Sequence, residues 1–423
     1  MPASLPGPLM DSHDTARAHV APPVSCRRAP RALTIYVHIP FCIQKCGYCD
    51  FNAYRYRPDA ARAYLTALRG EIAHTAATQT WAGYHVPSVY FGGGTPSTLA
   101  AEDLTSLLSL IASGFPVQGD AEITLEADPG TIDLAGLEAL RAAGFNRISI
   151  GVQAFDDGLL KQLDRLHSAA DARCALTWAR RAGFMDLNLD LMLGLPEQSR
   201  PAWERSLHEA TAFAPTHISV YGLTIEERTP FHRRQQRGQL VLPDEEAQVA
   251  MFEGADRLLT AAGYVHYELS NYALPGWRSC HNLHYWQHGE YLGFGAGAHA
   301  YLNGYRRENE RLPWRYVRSI AKDGSAAGAP EFIDRARRIH EGLMLGLRLR
   351  DGIDLHAFAQ GYGVDLTTAY AEPIAELTES GYLLGTDSHL RLTDRGRLVV
   401  DAILARLVAA DDAVASSAAE QLT

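Results

Sequence analysis

Three cysteines fall within eight residues near the start of the chain. Cys42, Cys46 and Cys49 lie in the segment YVHIPFCIQKCGYCDFNAY (36–54), directly after a short apolar run. Pro40 and Gly47 favour a wrapped loop over a regular helix, and such a loop can direct three thiolates at one centre. The remaining cysteines are scattered along the chain. The spacing therefore predicts a metal site and not a disulfide framework.

The number of thiols leaves two interpretations of that metal site. Iron–sulfur clusters are ordinarily held by four cysteines, so three ligands would leave one iron open to bind a substrate directly. The alternative is a structural zinc knot that is completed by His38 or Cys26. The spacing alone favours the cluster.

Other polar residues occupy positions where chemistry is expected. The glycine-rich turn YFGGGTPS (90–97) lets the backbone approach a ligand closely, and it lacks the G-K-[ST] ending of a phosphate loop. Glu126 ends the next apolar run, and Tyr36 could either pack in the core or donate a hydrogen bond into a site. Three further polar groups in apolar or strand-end surroundings need partners, for which a ligand is one candidate: Gln153, Arg165 and Asp190.

The elements that must position these residues alternate between strand patterns and helical patterns from residue 33 to about 225. Six apolar runs read LTIYVHI, SVYFGG, EITLEA, RISIGVQ, LNLDLML and HISVYGL, with amphipathic helical patterns between them. Repeated βα units predict a parallel sheet, here a complete or partial barrel whose chemistry gathers at the C-terminal strand ends. A doubly wound open sheet is the alternative, but its G-x-G-x-x-G fingerprint is missing after the first strand.

The sequence divides into five parts. We predict a disordered extension over 1–32, a β/α core over 33–270, an irregular segment rich in aromatic residues, His and Gly over 271–330, a small winged-helix-like α+β domain over 331–410, and a tail over 411–423. A formal net charge of −10 with dispersed basic residues argues against a nucleic-acid surface. Without a long apolar run, the protein is expected to be soluble and cytoplasmic.

The segment CIQKCGYC resembles the C-x3-C-x2-C motif of the radical S-adenosylmethionine (SAM) superfamily. In that family the cysteines bind a 4Fe-4S cluster whose open iron binds SAM, and reductive cleavage of SAM gives a 5′-deoxyadenosyl radical. The resemblance implies that Cys42, Cys46 and Cys49 are cluster ligands. It also implies a partial (β/α)6 radical SAM barrel, followed here by the small C-terminal domain.

Five motifs narrow this resemblance to the coproporphyrinogen III dehydrogenase branch, over residues 36 to about 400. They are YVHIPFC, FGGGTPS, LEADPG, RISIGVQAF and LDLMLGLP. The resemblance implies that Tyr36, Gly93 and Glu126 contact the SAM on the cluster. It implies contacts with a second SAM or with the substrate region for Tyr48, Gly94, Thr95, Gln153, Arg165 and Asp190.

Phe51 separates two groups within that branch. The dehydrogenases extend the motif to C-x3-C-x2-C-x-C, whereas a phenylalanine at the last position resembles the sister group of haem chaperones called HemW. HNLHYW (281–286) is similar to that group's H-N-x-x-Y-W motif, which makes His281 a candidate axial haem ligand beside the flat rings of Tyr285 and Trp286. The alternative function is oxygen-independent oxidative decarboxylation of coproporphyrinogen III to protoporphyrinogen IX.

The resemblance also implies partners. These are haem as cargo, a target haemoprotein of the respiratory kind, and a protein electron donor for the cluster. Delivery to a membrane complex would allow peripheral contact with the membrane.

Overall fold

The computed structural model describes residues 30–78 and 80–409. The predicted tail (411–423) and all but the last three residues of the predicted extension (1–32) lie outside the described residues. Strand β1 already begins at Arg31, two residues before the predicted start of the core.

Within the described residues, strands and helices alternate in the first half of the chain. The strands are β1 (Arg31–Ile39), β2 (Phe41–Cys42), β3 (Tyr54–Arg55), β4 (Tyr84–Gly93), β5 (Val117–Ala127), β6 (Arg147–Gln153), β7 (Asp186–Leu193), β8 (His217–Gly222), β9 (Val265–His266), β10 (Asn271–Ala273), β11 (Glu290–Phe294), β12 (His299–Leu302), β13 (Tyr305–Glu308), β14 (Glu331–Phe332), β15 (Ile353–Asp354), β16 (Leu383–Gly385) and β17 (His389–Leu392).

The helices include long elements between the barrel strands and shorter ones in the second half of the chain. They are α1 (Pro58–Thr78), α2 (Ala101–Gly114), α3 (Leu134–Ala142), α4 (Asp157–Gln162), α5 (Ala169–Arg181), α6 (Arg200–Ala212), α7 (Pro230–Gln236), α8 (Glu245–Ala261), α9 (Cys280–Trp286), α10 (Pro313–Asp323), α11 (Arg335–Gly346), α12 (Leu355–Tyr362), α13 (Leu366–Ala369), α14 (Ala371–Glu379) and α15 (Asp394–Arg397). Residues 400–409 are also helical.

The six predicted strand runs form one parallel sheet in the order β1-β4-β5-β6-β7-β8. Helices cross between successive strands, and most side chains in the strand interiors are apolar and buried. Helix starts are marked by polar caps, as at α5, where Ser168 and Asp171 form a reciprocal capping box. The prediction of a partial (β/α)6 barrel is confirmed.

The prediction that 271–330 is irregular is wrong. Strand β11 pairs in parallel with β1 and extends the sheet at that edge, while β10 pairs antiparallel with β8 at the other. Strands β12, β13 and β14 continue outward from β11 in antiparallel fashion. These strands are two to five residues long and are interrupted by glycines. Segments this short show little periodicity in the sequence, and they form strands because they pair with the edge of the existing sheet.

A second apolar cluster forms the core of the C-terminal part. Its buried members include Leu343, Leu366, Leu383 and Leu407, contributed by helices and by the small sheet β15-β17-β16. Strands β16 and β17 form an antiparallel hairpin, in agreement with the predicted winged-helix-like α+β domain. No helix in the described ranges combines the length and the apolar character that crossing a membrane would need.

Candidate cofactor site

A cavity of about 460 Å³ opens at the C-terminal ends of the barrel strands. It is bounded by the loop after β1, the glycine-rich turn after β4 and the ends of β5 to β8. Eleven of the thirteen predicted site residues line it: Cys42, Cys46, Tyr48, Cys49, Gly93, Gly94, Thr95, Glu126, Gln153, Arg165 and Asp190. The structure therefore brings together residues that are spread over about 150 positions of the chain.

The glycine-rich turn holds the cysteine loop against the end of β4. The Gly94 N–H donates to the Ile39 carbonyl and the Thr95 N–H to the Phe41 carbonyl, each at 2.8 Å. A Cβ at Gly94 would lie 2.8 Å from the Phe41 carbonyl oxygen, closer than real Cβ contacts allow. Position 94 therefore needs glycine in part because the backbone of the cysteine loop approaches it closely.

The three thiols are free and face the cavity. Thr95 Oγ1 donates to Cys42 Sγ at 3.4 Å, and Arg165 Nη1 lies 3.6 Å from Cys46 Sγ. Burial raises the pKa of the Cys42 thiol and raises that of Cys49 to about 11. Donors beside the sulfurs are what thiolate ligands need once a positive centre has deprotonated them.

Among residues 30–78 and 80–409, no three His, Cys, Asp or Glu side chains converge closely enough for a single metal ion. Three free thiols from one loop line the same cavity, and such a donor set fits an iron–sulfur cluster, which takes one thiolate per iron. His38, proposed above as a zinc ligand, instead contacts Tyr36 Oη and the Asn52 carbonyl, each at 3.0 Å. Cys26 lies outside the described residues.

Glu126 lies at the end of β5 with both carboxylate oxygens engaged. The Tyr90 hydroxyl donates to Oε1 at 2.7 Å, and the Gly93 N–H donates to Oε2 at 3.1 Å. Burial raises the pKa of Glu126 to about 7 although both hydrogen bonds oppose the shift. A carboxylate in this position retains lone pairs for the hydroxyls of a ligand in the cavity.

A polar network covers the inner face of β6, β7 and β8. Asp190 accepts from Ser149 Oγ at 3.0 Å and from Asn188 Nδ2 at 2.8 Å, and Asn188 Nδ2 also donates to Ser219 Oγ at 3.0 Å. Burial raises the pKa of Asp190. The barrel interior at this depth is hydrophilic, so the cavity suits a ligand with several hydrogen-bonding groups.

Arg165 lies beside the cysteine loop, and Gln153 lines the same cavity. Arg165 Nη2 forms an ion pair with Asp128 at 2.5 Å and donates to the Gly151 carbonyl at 2.7 Å, while its Nε is buried without a partner among the described residues. Gln153 has a φ of 64°, a left-handed conformation that is rare for a residue other than glycine. Such strain is typical of functional positions.

Two predicted site residues, Tyr36 and His281, are not in the cavity lining. Both rings stack on Tyr90, with centroids 6.2 Å and 5.0 Å away. His281 is only 2% exposed, its Nδ1 lies 2.9 Å from Ser88 Oγ, and its Nε2 lies 3.2 Å from the Tyr285 hydroxyl. Haem iron could reach His281 only if these contacts were broken.

Several cavity residues were missed from the sequence. They are Tyr90, Arg147, Ser149, Asn188, Ser219, Tyr221 and Asn282. A signal existed for the serines and asparagine on the strands, because a polar residue interrupts the apolar pattern in RISIGVQ, LNLDLML and HISVYGL. Asn282 lies in HNLHYW, where the sequence prediction names only its neighbour His281 as a site residue.

The mouth of the cavity has an apolar rim, defined as Ile43, Phe51 and Leu166. These side chains are 45%, 64% and 57% exposed and come from the cysteine loop and the segment after α4. Large apolar side chains gathered around a cavity mouth indicate a surface that contacts an apolar ligand or partner.

Comparisons with known proteins agree with this geometry. A family model described as the radical SAM superfamily matches residues 36–210, and one described as the HemN C-terminal domain matches 333–399. The heme chaperone HemW of Bacillus subtilis is 36% identical over 365 residues, covering 86% of this chain and 96% of that protein. HemW of Escherichia coli is 36% identical over 380 residues, covering 88% and 97%.

A solved structure extends the similarity to the whole fold. Coproporphyrinogen III oxidase (HemN) from Escherichia coli, described as a radical SAM enzyme, superposes with a TM-score of 0.78 at 27% identity, over 90% of this chain and 91% of that one. The chain thus belongs to the radical SAM superfamily and, within its coproporphyrinogen III dehydrogenase-like branch, to the HemW family.

Proposed function

We propose that this protein is a haem chaperone that binds haem and delivers it to a target haemoprotein, with a 4Fe-4S cluster on Cys42, Cys46 and Cys49 and SAM in the adjoining cavity. The observation that carries the proposal is 36% identity to HemW proteins over more than four fifths of the chain. The haem recipient is proposed to be a respiratory haemoprotein, and the electron donor a separate protein.

In this proposal each group of cavity residues has its own role. When bound, the cluster would supply one electron and an open iron for SAM. Glu126 and the Gly93 turn would hold the polar end of SAM, and Asp190 with its serine and asparagine partners would bind hydroxyl or amino groups deeper in the barrel. Arg165, which lies beside Cys46, would balance the negative charge of the thiolates.

The apolar rim supports haem as the cargo. Ile43, Phe51 and Leu166 offer exposed apolar surface next to the cluster loop, and a porphyrin presents a flat apolar face. Phe51 also stands where the dehydrogenases have a further cysteine. The His281 ligand predicted from HNLHYW stays a prediction, because its ring nitrogens are engaged with Ser88 and Tyr285.

The experiment is a haem titration of anaerobically reconstituted protein, followed by a decarboxylation assay with coproporphyrinogen III, SAM and reductant on the same sample. We expect a stoichiometric Soret band and no decarboxylated product. Conversion of two propionates to vinyl groups at a useful rate would replace the proposal with the dehydrogenase function, and the absence of a Soret band would refute haem carriage.

A matched pair of variants tests the rim. Phe51 and Phe332 are equally exposed, at 64% and 63%, but Phe332 is on β14 and is not among the residues that line the cavity. We expect Phe51→Ser to weaken haem binding about tenfold, as the loss of one aromatic contact predicts. Phe332→Ser should bind haem as the wild type does, and equal affinities of the two variants would contradict a role of the rim.

A further inference from the structure

The helix that carries HNLHYW, α9, is attached to the inner side of the barrel. The Glu122 carboxylate of β5 accepts hydrogen bonds from Ser279 Oγ at 3.1 Å, from the Cys280 N–H at 2.7 Å and from the His281 N–H at 3.1 Å. Helix α9 packs against β4, the strand that ends in the glycine-rich turn. A segment more than 150 residues away in sequence is therefore fixed beside the strands that form the cavity.

His281 is connected to the cavity through one aromatic ring. Its imidazole stacks on Tyr90 with ring centroids 5.0 Å apart and an interplanar angle of 26°. The Tyr90 hydroxyl donates to Glu126 Oε1 at 2.7 Å. Burial lowers the pKa of His281 to about 3, so the stacked ring is neutral. The Glu126 carboxylate is thus hydrogen-bonded to a tyrosine on which His281 stacks, as Tyr36 also does.

Asn282 reaches the cavity itself. It lines the cavity with Tyr90, Arg147, Ser149 and Asn188. Its backbone N–H is bonded to Ser279 Oγ at 3.3 Å, but the hydrogen bonds of the described residues include none from its side-chain amide. An amide that carries both a donor and an acceptor and opens onto a polar cavity is available for a bound molecule.

We infer that the HNLHYW helix serves the SAM cavity: Asn282 contacts the bound SAM directly, and His281 is a positioning residue that acts on Glu126 through Tyr90. The inference rests on the proposed function, because it takes SAM to be the occupant of this cavity. The ligand groups it assigns to Asn282 are the polar edge of the adenine or the ribose, which offer donors and acceptors to an amide.

The experiment measures SAM binding and haem binding separately on full-length, anaerobically reconstituted protein. We expect Asn282→Ala to raise the Kd for SAM about tenfold, as the loss of hydrogen bonds to a buried ligand predicts. Gln287→Ala is the matched control, since Gln287 is an exposed amide that directly follows the same helix. SAM affinity within twofold of the wild type in Asn282→Ala would overturn the inference.

The positioning role of His281 needs a readout that simple loss of structure would not give. We expect His281→Ala to abolish the change that SAM causes in the electron paramagnetic resonance spectrum of the reduced cluster. His281→Phe, which keeps a ring stacked on Tyr90, should restore that change. Failure of the phenylalanine variant to restore it, with the cluster and the fold intact, would overturn the positioning role.

Measurements on the wild type distinguish failure of this inference from failure of haem carriage. Protein that binds haem but no SAM would overturn this inference and leave haem carriage standing. Protein that binds SAM but no haem would refute haem carriage, while the comparison of Asn282→Ala with Gln287→Ala would still decide the inference.

Discussion

At the scale of single residues, the surroundings of the three thiols differ in a way that suits their proposed task. Cys42 has a hydroxyl donor, Cys46 has a guanidinium neighbour, and Cys49 lies beside the exposed end of the loop. Buried thiols with raised pKa values are poor nucleophiles and stay protonated until a metal centre binds. The raised pKa values of Cys42 and Cys49 therefore argue against nucleophilic chemistry at these two thiols and agree with their proposed role as cluster ligands.

Replacing any one of Cys42, Cys46 or Cys49 with serine should abolish the iron–sulfur centre, because a serine hydroxyl is a far weaker ligand for iron than a thiolate. The measurement is iron and sulfide content with the visible absorption spectrum after anaerobic reconstitution. Cys174→Ser is the control, since Cys174 is exposed on α5 and does not line the cavity. Retention of a full cluster in any of the three variants would contradict the ligand assignment.

Glu126 should make SAM binding depend on pH. Because burial raises its pKa to about 7, the carboxyl is largely neutral below that pH and ionised above it. An ionised carboxylate accepts hydrogen bonds from ligand hydroxyls more strongly, so SAM affinity should rise from about pH 6 to about pH 8. Glu126→Gln should bind more weakly with a flat profile over that range. An equal slope in the variant would mean that another group is titrating.

At the scale of elements, the βα repeat could be predicted from the sequence because the strands are mostly apolar runs, the helices between them have amphipathic patterns, and α3 to α6 begin at polar caps. The placement of chemistry at the strand ends followed from the same pattern. The edge strands β10 to β14 could not be predicted, since they are short and depend on the edges they extend. The place of α9 could not be predicted either, because its anchor, Glu122, is 157 residues from Ser279.

The edge strand β11 is tied to the barrel by a buried carboxyl. Glu71 on α1 accepts from the Gly295 N–H at 2.9 Å, Asn309 Nδ2 at 2.6 Å and the Tyr316 hydroxyl at 2.6 Å. Gly295 has a φ of 101°, and a Cβ there would lie 2.4 Å from the Tyr64 hydroxyl. This explains why the FGAGAH segment needs glycine just after β11.

Removing that carboxyl should therefore be costly. Glu71→Ala leaves three buried donors without an acceptor and should lower the free energy of unfolding by about 3 kcal/mol, whereas Glu71→Gln should cost about 1 kcal/mol. Urea unfolding of the two variants provides the measurement. Glu138→Ala, on the exposed side of α3, should change stability by no more than about 0.5 kcal/mol. A loss in Glu71→Ala no larger than this control would show that the network is dispensable.

At the scale of the whole molecule, the cavity and the C-terminal domain are formed by separate stretches of the chain. All the cavity-lining residues lie between Cys42 and Asn282, whereas the second apolar cluster is formed from residue 339 onward. The two parts meet at several points, such as Arg278–Asp351 and His288–Tyr362. At another of them Glu341 forms a paired contact with Arg306 at 2.9 and 2.6 Å and approaches His288 at 3.3 Å. Burial alone would raise the pKa of Glu341, but the hydrogen bonds and charge of Arg306 lower it.

Glu341→Ala should loosen the C-terminal domain without altering the cavity. We expect a loss of about 1–2 kcal/mol in the free energy of unfolding, because a half-buried arginine loses a two-point carboxylate partner. Hydrogen–deuterium exchange should increase in α11 and β13, while the Kd for SAM and the iron content stay at wild-type values. Glu379→Ala is the control, an exposed glutamate on α14 of the same domain. A large loss of SAM affinity in Glu341→Ala would instead show that the C-terminal domain shapes the cavity through β11 and α9, and that the two parts work as one unit.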